Sequence, residues 1–306
     1  MDCQLRATSM LFESSLSMPT LTEKLDAQVA HFSPEGYARV NSRTRPRNVE
    51  AVQNTKYRRP SSECQQMLDI GSGTGDFTRD VLLPCSRPCR KMVAVDSLPG
   101  MVDYAKANYA HPDISYEVLD ASTPDLSEFL KRHGKFDRIY SFYCWHWIRD
   151  QRQAFNNVAR MLKDGGECLL LFCAPFVVHH VWQEMAEMRR WRAIVDDPME
   201  LFPEIWNRDS RISLSDIETA VRQLVADAGM VTLACDVEPA VPCSFDRPEG
   251  VLDMLLPIVT TRADASEEQK DGLRTEVSSR LIAGCTHTAS GSSFPIDIFV
   301  LHAQKQ

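Results

Sequence analysis

Apolar residues in this chain gather in short runs separated by longer amphipathic stretches. Met67 to Ile70, Met92 to Val95, Ser115 to Leu119, Phe136 to Tyr143 and Cys168 to Cys173 read as five strands. Helical patterns lie between them, at Pro99 to Ala110 and at Ala154 to Leu162. The second ends at Lys163-Asp164-Gly165-Gly166, with the glycines as its stop signal. Strands alternating with helices predict a parallel sheet covered on both faces. Further on, Val181 to Val195 carries Trp182, Met185, Met188, Trp191 and Val195 at helical spacing, and Val231 to Val237 and Ile296 to His302 read as the last two strands. The longest apolar run, Cys168 to Val178, contains Pro175 and falls well short of the ~20 residues that span a bilayer.

The loop after the first strand carries the strongest chemical signal. Gly71, Gly73 and Gly75 alternate at a strand-to-helix turn, where bare backbone can approach a ligand and helix N-terminal amides point at it. A nicotinamide fingerprint would be G-x-G-x-x-G, but Asp76 stands at its third glycine position and Gly75 comes one residue early. Asp69 lies where a cationic amino group could be held. Both departures suit S-adenosylmethionine, which carries an ammonium and has no pyrophosphate. Asp96 ends the second strand about 20 residues past the glycines, where an acid accepts both ribose hydroxyls, and Asp120 follows the third. Three carboxylates at successive strand ends predict one crevice, and no divalent-metal cluster accompanies them.

Composition bounds the rest. The 306 residues are 43% hydrophobic and 25% charged, as in a soluble globular protein with a sizeable core. A net charge of −8 argues against a nucleic-acid partner, and no segment suggests a membrane one. Ten cysteines, several beside buried-looking strands, read as reduced core residues in a cytoplasmic protein. Residues 1–33, with seven Ser or Thr between Thr8 and Thr22, read as a poorly ordered tail without a signal-peptide pattern. Nothing in the pattern fixes the oligomeric state.

Phe136-Asp137-Arg138-Ile139-Tyr140-Ser141-Phe142-Tyr143-Cys144-Trp145-His146-Trp147-Ile148-Arg149-Asp150, with Gln151, Ala154-Phe155 and Leu169 to Phe172, resembles the arthropod juvenile hormone acid O-methyltransferases, class I S-adenosylmethionine-dependent enzymes. The likeness covers Tyr37 to Trp191 well and the final third only in outline. It implies a doubly wound, seven-stranded Rossmann-like sheet over residues 34–306, with the last strand antiparallel inside the sheet. A helical substrate cap is expected near 176–215 and 245–290. It implies cofactor contacts from Tyr37, Asp69, Gly71, Ser72, Gly73, Gly75, Asp96, Ser97, Asp120, Ala121 and Phe142. Trp147 matches a substrate-site residue of the family. Asn41-Ser42 match an Asn-Ser pair, but Thr44, flanked by Arg43 and Arg45, stands where the family has a carboxylate-contacting glutamine.

The acceptor implied is a small lipophilic carboxylic acid. Such an acid, with a pKa near ~4–5, is ionised at neutral pH and needs no general base. If the segment stays extended, Trp145 and Trp147 share one face and wall an apolar substrate. Trp182 would border the same cavity, and Arg43 or Arg45 could replace the missing glutamine. His146 reads either as a packed residue or as a base for a hydroxyl or amine acceptor. A methyltransferase shell without catalysis is a third reading, open because of Thr44.

Overall fold

The computed structural model describes residues 33–200, 202–206, 212–247, 249–262, 264–289 and 291–306. The expected tail, apart from Ser33, lies outside them. The chain enters through α1 (Pro34–Val40) and α2 (Arg45–Asn54), then forms β1 (Gln66–Ile70), which is buried along its whole length. After the glycine loop a helical stretch runs through a π segment, Thr78–Leu82, into α3 (Leu83–Ser86). There follow β2 (Lys91–Asp96), α4 (Pro99–Asn108), β3 (Ile114–Val118), α5 (Ser127–His133) and β4 (Phe136–Phe142). The pattern continues with α6 (Gln151–Met161), β5 (Leu162–Cys173), α7 (Val177–Glu187), α8 (Leu214–Asp227) and β6 (Met230–Phe245). Last come α9 (Gly250–Leu255), α10 (Glu267–Ala283), β7 (Thr286–Thr288) and β8 (Gly291–Lys305).

The sheet order is β3-β2-β1-β4-β5-β8-β6, with β7 paired to β8. The first five strands are parallel, and β8 inserts antiparallel between β5 and β6. This is the doubly wound Rossmann-like sheet that the resemblance implies, with one short strand, β7, beyond the expected seven. From β1 the chain winds outward to β3, then returns to β4 on the other side of β1. That reversal opens a crevice at the carboxyl ends of β1 and β4.

Two boundaries differ from the sequence pattern. The amphipathic helix spans Val177–Glu187, not Val181 to Val195, and its C-terminal apolar residues continue as turns that pack Trp191 and Val195 into the core. Gly165 and Gly166 do not cap α6. They lie within β5, where Gly165 has φ +73° and the register with β4 shifts between Phe136 and Arg138. The glycines thus accommodate an irregular strand start.

One buried cluster anchors the connector between α2 and β1. Glu167 on β5 accepts the Arg58 amide (3.0 and 3.2 Å) and bonds His302 Nε2 on β8 (2.8 Å). Arg138 lies over the Tyr57 ring and donates to Ser61 Oγ (3.0 Å). Removing Glu167 strands partners in a buried site, so Glu167→Ala should destabilise the protein by about 2–3 kcal/mol in urea titrations. Loss of under 0.5 kcal/mol would contradict this account of the anchor.

Candidate active site

The glycine loop takes its form from backbone angles that side chains resist. Gly71, Gly73 and Gly75 have φ of +73°, +53° and +79°. A Cβ on Gly71 would stand 2.4 Å from Cys144, one on Gly73 would meet the Tyr37 ring at 3.0 Å, and one on Gly75 would meet Ala105 at 2.8 Å. The loop is therefore pressed between α1, α4 and the exit of β4. There Tyr143, a non-glycine at φ 52°, turns the chain over the crevice.

Asp96 closes the crevice floor. Its Oδ2 accepts the Gly73 amide (2.8 Å) and its Oδ1 the Leu98 amide (3.1 Å). Each oxygen keeps a further lone pair for a ligand. Asp69 Oδ2 accepts the Thr78 hydroxyl (2.6 Å). Burial lifts Asp69 to about 7, against the Thr78 bond, and lifts Asp96 to about 6, against its two amide bonds. Asp120 is exposed and accepts the Ser122 amide and hydroxyl, both at 2.8 Å. Burial and then the charge of Asp96 push the Cys144 thiol upward, with smaller contributions from Asp69 and Asp120. Ser97 is exposed beside them, and Ala121 is buried, its carbonyl held by Asn157 Nδ2 (2.9 Å).

The N-terminal segment is clamped onto this loop through Asp76. Its Oδ1 accepts Asn41 Nδ2 (2.9 Å) and Thr74 Oγ1 (2.7 Å), and its Oδ2 pairs with Arg45. Thr44 Oγ1 donates to the Asn41 carbonyl (2.9 Å). Tyr37 lies across Gly73, its phenol pushed up by burial and then by Asp76 and Asp96. Tyr37, Thr44, Asp69, Gly71, Asp76 and Phe142 border a cavity of about 30 Å³. Tyr37 also borders a second cavity of about 650 Å³, shared with Arg43, Arg247, Leu252, Leu256 and Pro257.

Several expected site residues are placed elsewhere. Trp145, His146 and Trp147 form a 3-10 turn, not an extended strand end, so the two tryptophans diverge. Trp145 is fully buried against Phe155 (centroids 4.9 Å apart), whereas Trp147 is 37% exposed. Trp182 is core as well, its Nε1 donating to the Asp196 carbonyl (2.9 Å). Both arginines already have partners. Arg45 is spent on Asp76, and Arg43 donates to the Ser244 carbonyl (2.7 Å) and lies over the Phe245 ring. His146 is buried, with Nδ1 accepting the Cys173 amide (3.4 Å), and burial lowers it to about 3.

The sequence reading missed two features. Cys144 fills the space beside Gly71, which only the third dimension reveals. Asp76 is a clamp, a role that its intrusion into the glycine pattern could have signalled. Among the described residues, no group of three or more His, Cys, Asp or Glu is arranged to hold a metal ion, and the cysteines are free. No helix among them is long and apolar enough to cross a membrane.

Residues 68–170, from β1 to within β5, match the methyltransferase domain family. Over that third of its length the chain is similar to methyltransferase domains. It is 34% identical over 133 residues to the juvenile hormone acid O-methyltransferase of Drosophila melanogaster, covering 43% of this chain and 44% of that protein. The Bombyx mori protein of the same name is 33% identical over 128 residues, covering 42% of this chain and 45% of its own. The chain thus spans under half the length of the curated relatives it matches. Among solved structures, the Haemonchus contortus phosphoethanolamine N-methyltransferase 2 bound to S-adenosyl-L-methionine superposes with a TM-score of 0.52. It is 18% identical and covers 94% of this chain and 61% of its own, a likeness of fold.

The two buried carboxylates of this domain set a pH dependence. Their folded pKa values lie above the unfolded value of 3.8, so the folded state holds protons that the unfolded chain releases. Stability should therefore fall as pH rises from about 4 to about 7. Asp69→Asn, which can still accept from Thr78, should flatten that decline and raise Tm at pH 8. Thermal melts showing an unchanged profile would contradict the assignment.

Proposed function

We propose that this crevice binds S-adenosylmethionine and that the protein methylates the carboxylate of a small lipophilic acid. The observation that carries the reading is Asp96: a buried carboxylate at the switch point, fixed by two amides and able to accept both hydroxyls of a ribose. The backbone of Gly71, Ser72, Gly73 and Gly75 would lie along the ligand, with Phe142 beneath it. Ser97, Asp120 and Ala121 would border the adenine side. Asp69 would meet the ammonium, whose charge holds the carboxyl ionised. Tyr37 would present its ring near the sulfonium.

Bound there, S-adenosylmethionine supplies a methyl group on an already activated leaving group. What remains for the chain is to align the acceptor and exclude water. Trp147, the exposed ring at the exit of β4, would donate its Nε1–H to the acceptor carboxylate. A base with a pKa of about 3, such as His146, gains little from proton transfer at neutral pH. That favours an acceptor already ionised over a hydroxyl or amine. The matched insect proteins are named for acid methylation, as is the malonyl-[acyl-carrier protein] O-methyltransferase of Acetivibrio thermocellus, 29% identical over 100 residues and covering 33% of this chain and 32% of that protein. The cavity beyond Tyr37 has both Leu252, Leu256 and Pro257 and Arg39, Arg43 and Arg247 in its wall, a mixed lining that could take an apolar chain with an anionic end. Free cysteines suit a reducing compartment, and we place the protein in the cytoplasm.

Two variants should fail differently. Asp96→Ala should weaken S-adenosylhomocysteine binding by about 2–4 kcal/mol, two charge-assisted hydrogen bonds, with little change in Tm. Trp147→Ala should leave that binding nearly intact and lower the methylation rate with farnesoic acid. Calorimetry and initial rates together decide, and parent-like binding by Asp96→Ala would sink the placement.

A further inference from the structure

Beyond Trp147 lies an aromatic cluster formed where the chain leaves β5. His179 on α7 stacks under Trp147 (centroids 5.5 Å apart, planes at 27°) and meets Phe176 at 4.5 Å and Phe202 at 4.6 Å. Trp206 stands perpendicular to it at 5.0 Å. His179 and Trp206 are 1% and 2% exposed, and of the cluster only Trp147 is substantially open to solvent.

Polar atoms in and around this cluster are mostly satisfied. Trp182 Nε1 has the Asp196 carbonyl, His146 Nδ1 the Cys173 amide, and His179 Nδ1 the Phe176 amide (3.2 Å). Within the cluster itself two are not: His179 Nε2 and Trp206 Nε1 are buried without a hydrogen-bond partner, as is Trp145 Nε1 in the adjoining turn. Because Nδ1 accepts the Phe176 amide, the proton of the neutral ring sits on Nε2. Burial, and then the neighbouring His146 and His180, hold the ring neutral. Both orphan atoms of the cluster are therefore N–H donors, on rings whose centroids lie 5.0 Å apart. A buried donor without an acceptor costs about 1–3 kcal/mol, and an N–H against a ring face recovers only part of that. Two such donors on adjoining rings, one of them stacked on the ring proposed to meet the acceptor, fit a ligand with two acceptor oxygens and no donor.

We propose that His179 and Trp206 recognise the acceptor's carboxylate, each N–H taking one oxygen of a long-chain monocarboxylic acid that enters past Trp147. This rests on the acid-methylating reading above and extends it to the residues that select the acid. Neutral donors in an apolar cage also reject ligands that bring an N–H or an ammonium, since those would leave like donors facing one another.

The test is calorimetric titration of the full chain with farnesoate, and with farnesol as the oxygen-poor control, in the presence of S-adenosylhomocysteine. His179→Phe and Trp206→Phe keep an apolar ring and remove the donor. Each should raise the farnesoate Kd at least ~10-fold and leave farnesol binding within about twofold. Trp206→Phe should also keep Tm or raise it, because an unpartnered buried N–H is gone, a result that a merely structural hydrogen bond would reverse. His179→Phe also strands the Phe176 amide and should lower Tm. Parent-like farnesoate binding in both variants overturns the proposal. So does equal weakening of acid and alcohol, or a parent that binds no farnesoate. A separate S-adenosylhomocysteine titration keeps the outcomes apart. Acid binding that survives both substitutions removes this inference alone. Cofactor binding without acid binding removes the acid-methylating reading with it, and acid binding without cofactor binding removes the methyl-transfer reading.

Discussion

The Val95 carbonyl receives the amides of both Gly71 and Ser72 (2.7 and 3.0 Å), joining the exit of β1 to the last turn of β2. That seat obliges the loop to leave in the left-handed region, which Gly71, Gly73 and Gly75 occupy without steric strain. From it follows the delivery of the Gly73 amide to Asp96. Tyr37, Cys144 and Tyr116 are then free to pack where side chains on the glycines would have been. The crevice is thus shaped as much by atoms that are missing from three residues as by those of their neighbours.

Electrostatics at this corner run against stability. Asp69 and Asp96 are buried carboxylates with few donors each, and the fold raises both pKa values. A ligand carrying an ammonium and a vicinal diol would supply the charge and hydrogen bonds that the protein lacks there. The same logic holds in the aromatic cluster, where His179 and Trp206 have donors and no acceptors. Unsatisfied polar groups concentrate where a fold gives up stability for a ligand.

Much of this was legible in the chain. Strand ends marked by Asp69, Asp96 and Asp120, with glycines after the first, follow from local rules, and a parallel sheet follows from strand-helix alternation. The antiparallel last strand came from the family resemblance and not from periodicity. The orientation of Trp145 was not legible, because an alternation argument assumes an extended chain and the Trp145–Trp147 segment curls into a 3-10 turn. The partners of Arg43 and Arg45, Ser244 and Asp76, were not legible because they lie far along the chain or inside a pattern read for its glycines. His179 and Trp206 carry no local signature at all. Only packing brings them together, and only burial makes their lone N–H groups informative.

The account stands most directly on cofactor binding by the parent protein. Isothermal titration with S-adenosylhomocysteine at pH 7.5 should give one site per chain with a Kd in about the micromolar range, ~8 kcal/mol of binding free energy. Saturable binding of that strength would place a ligand of this chemistry in the glycine crevice. The absence of any saturable heat up to about millimolar ligand, from protein that melts cooperatively, would contradict the account at its root.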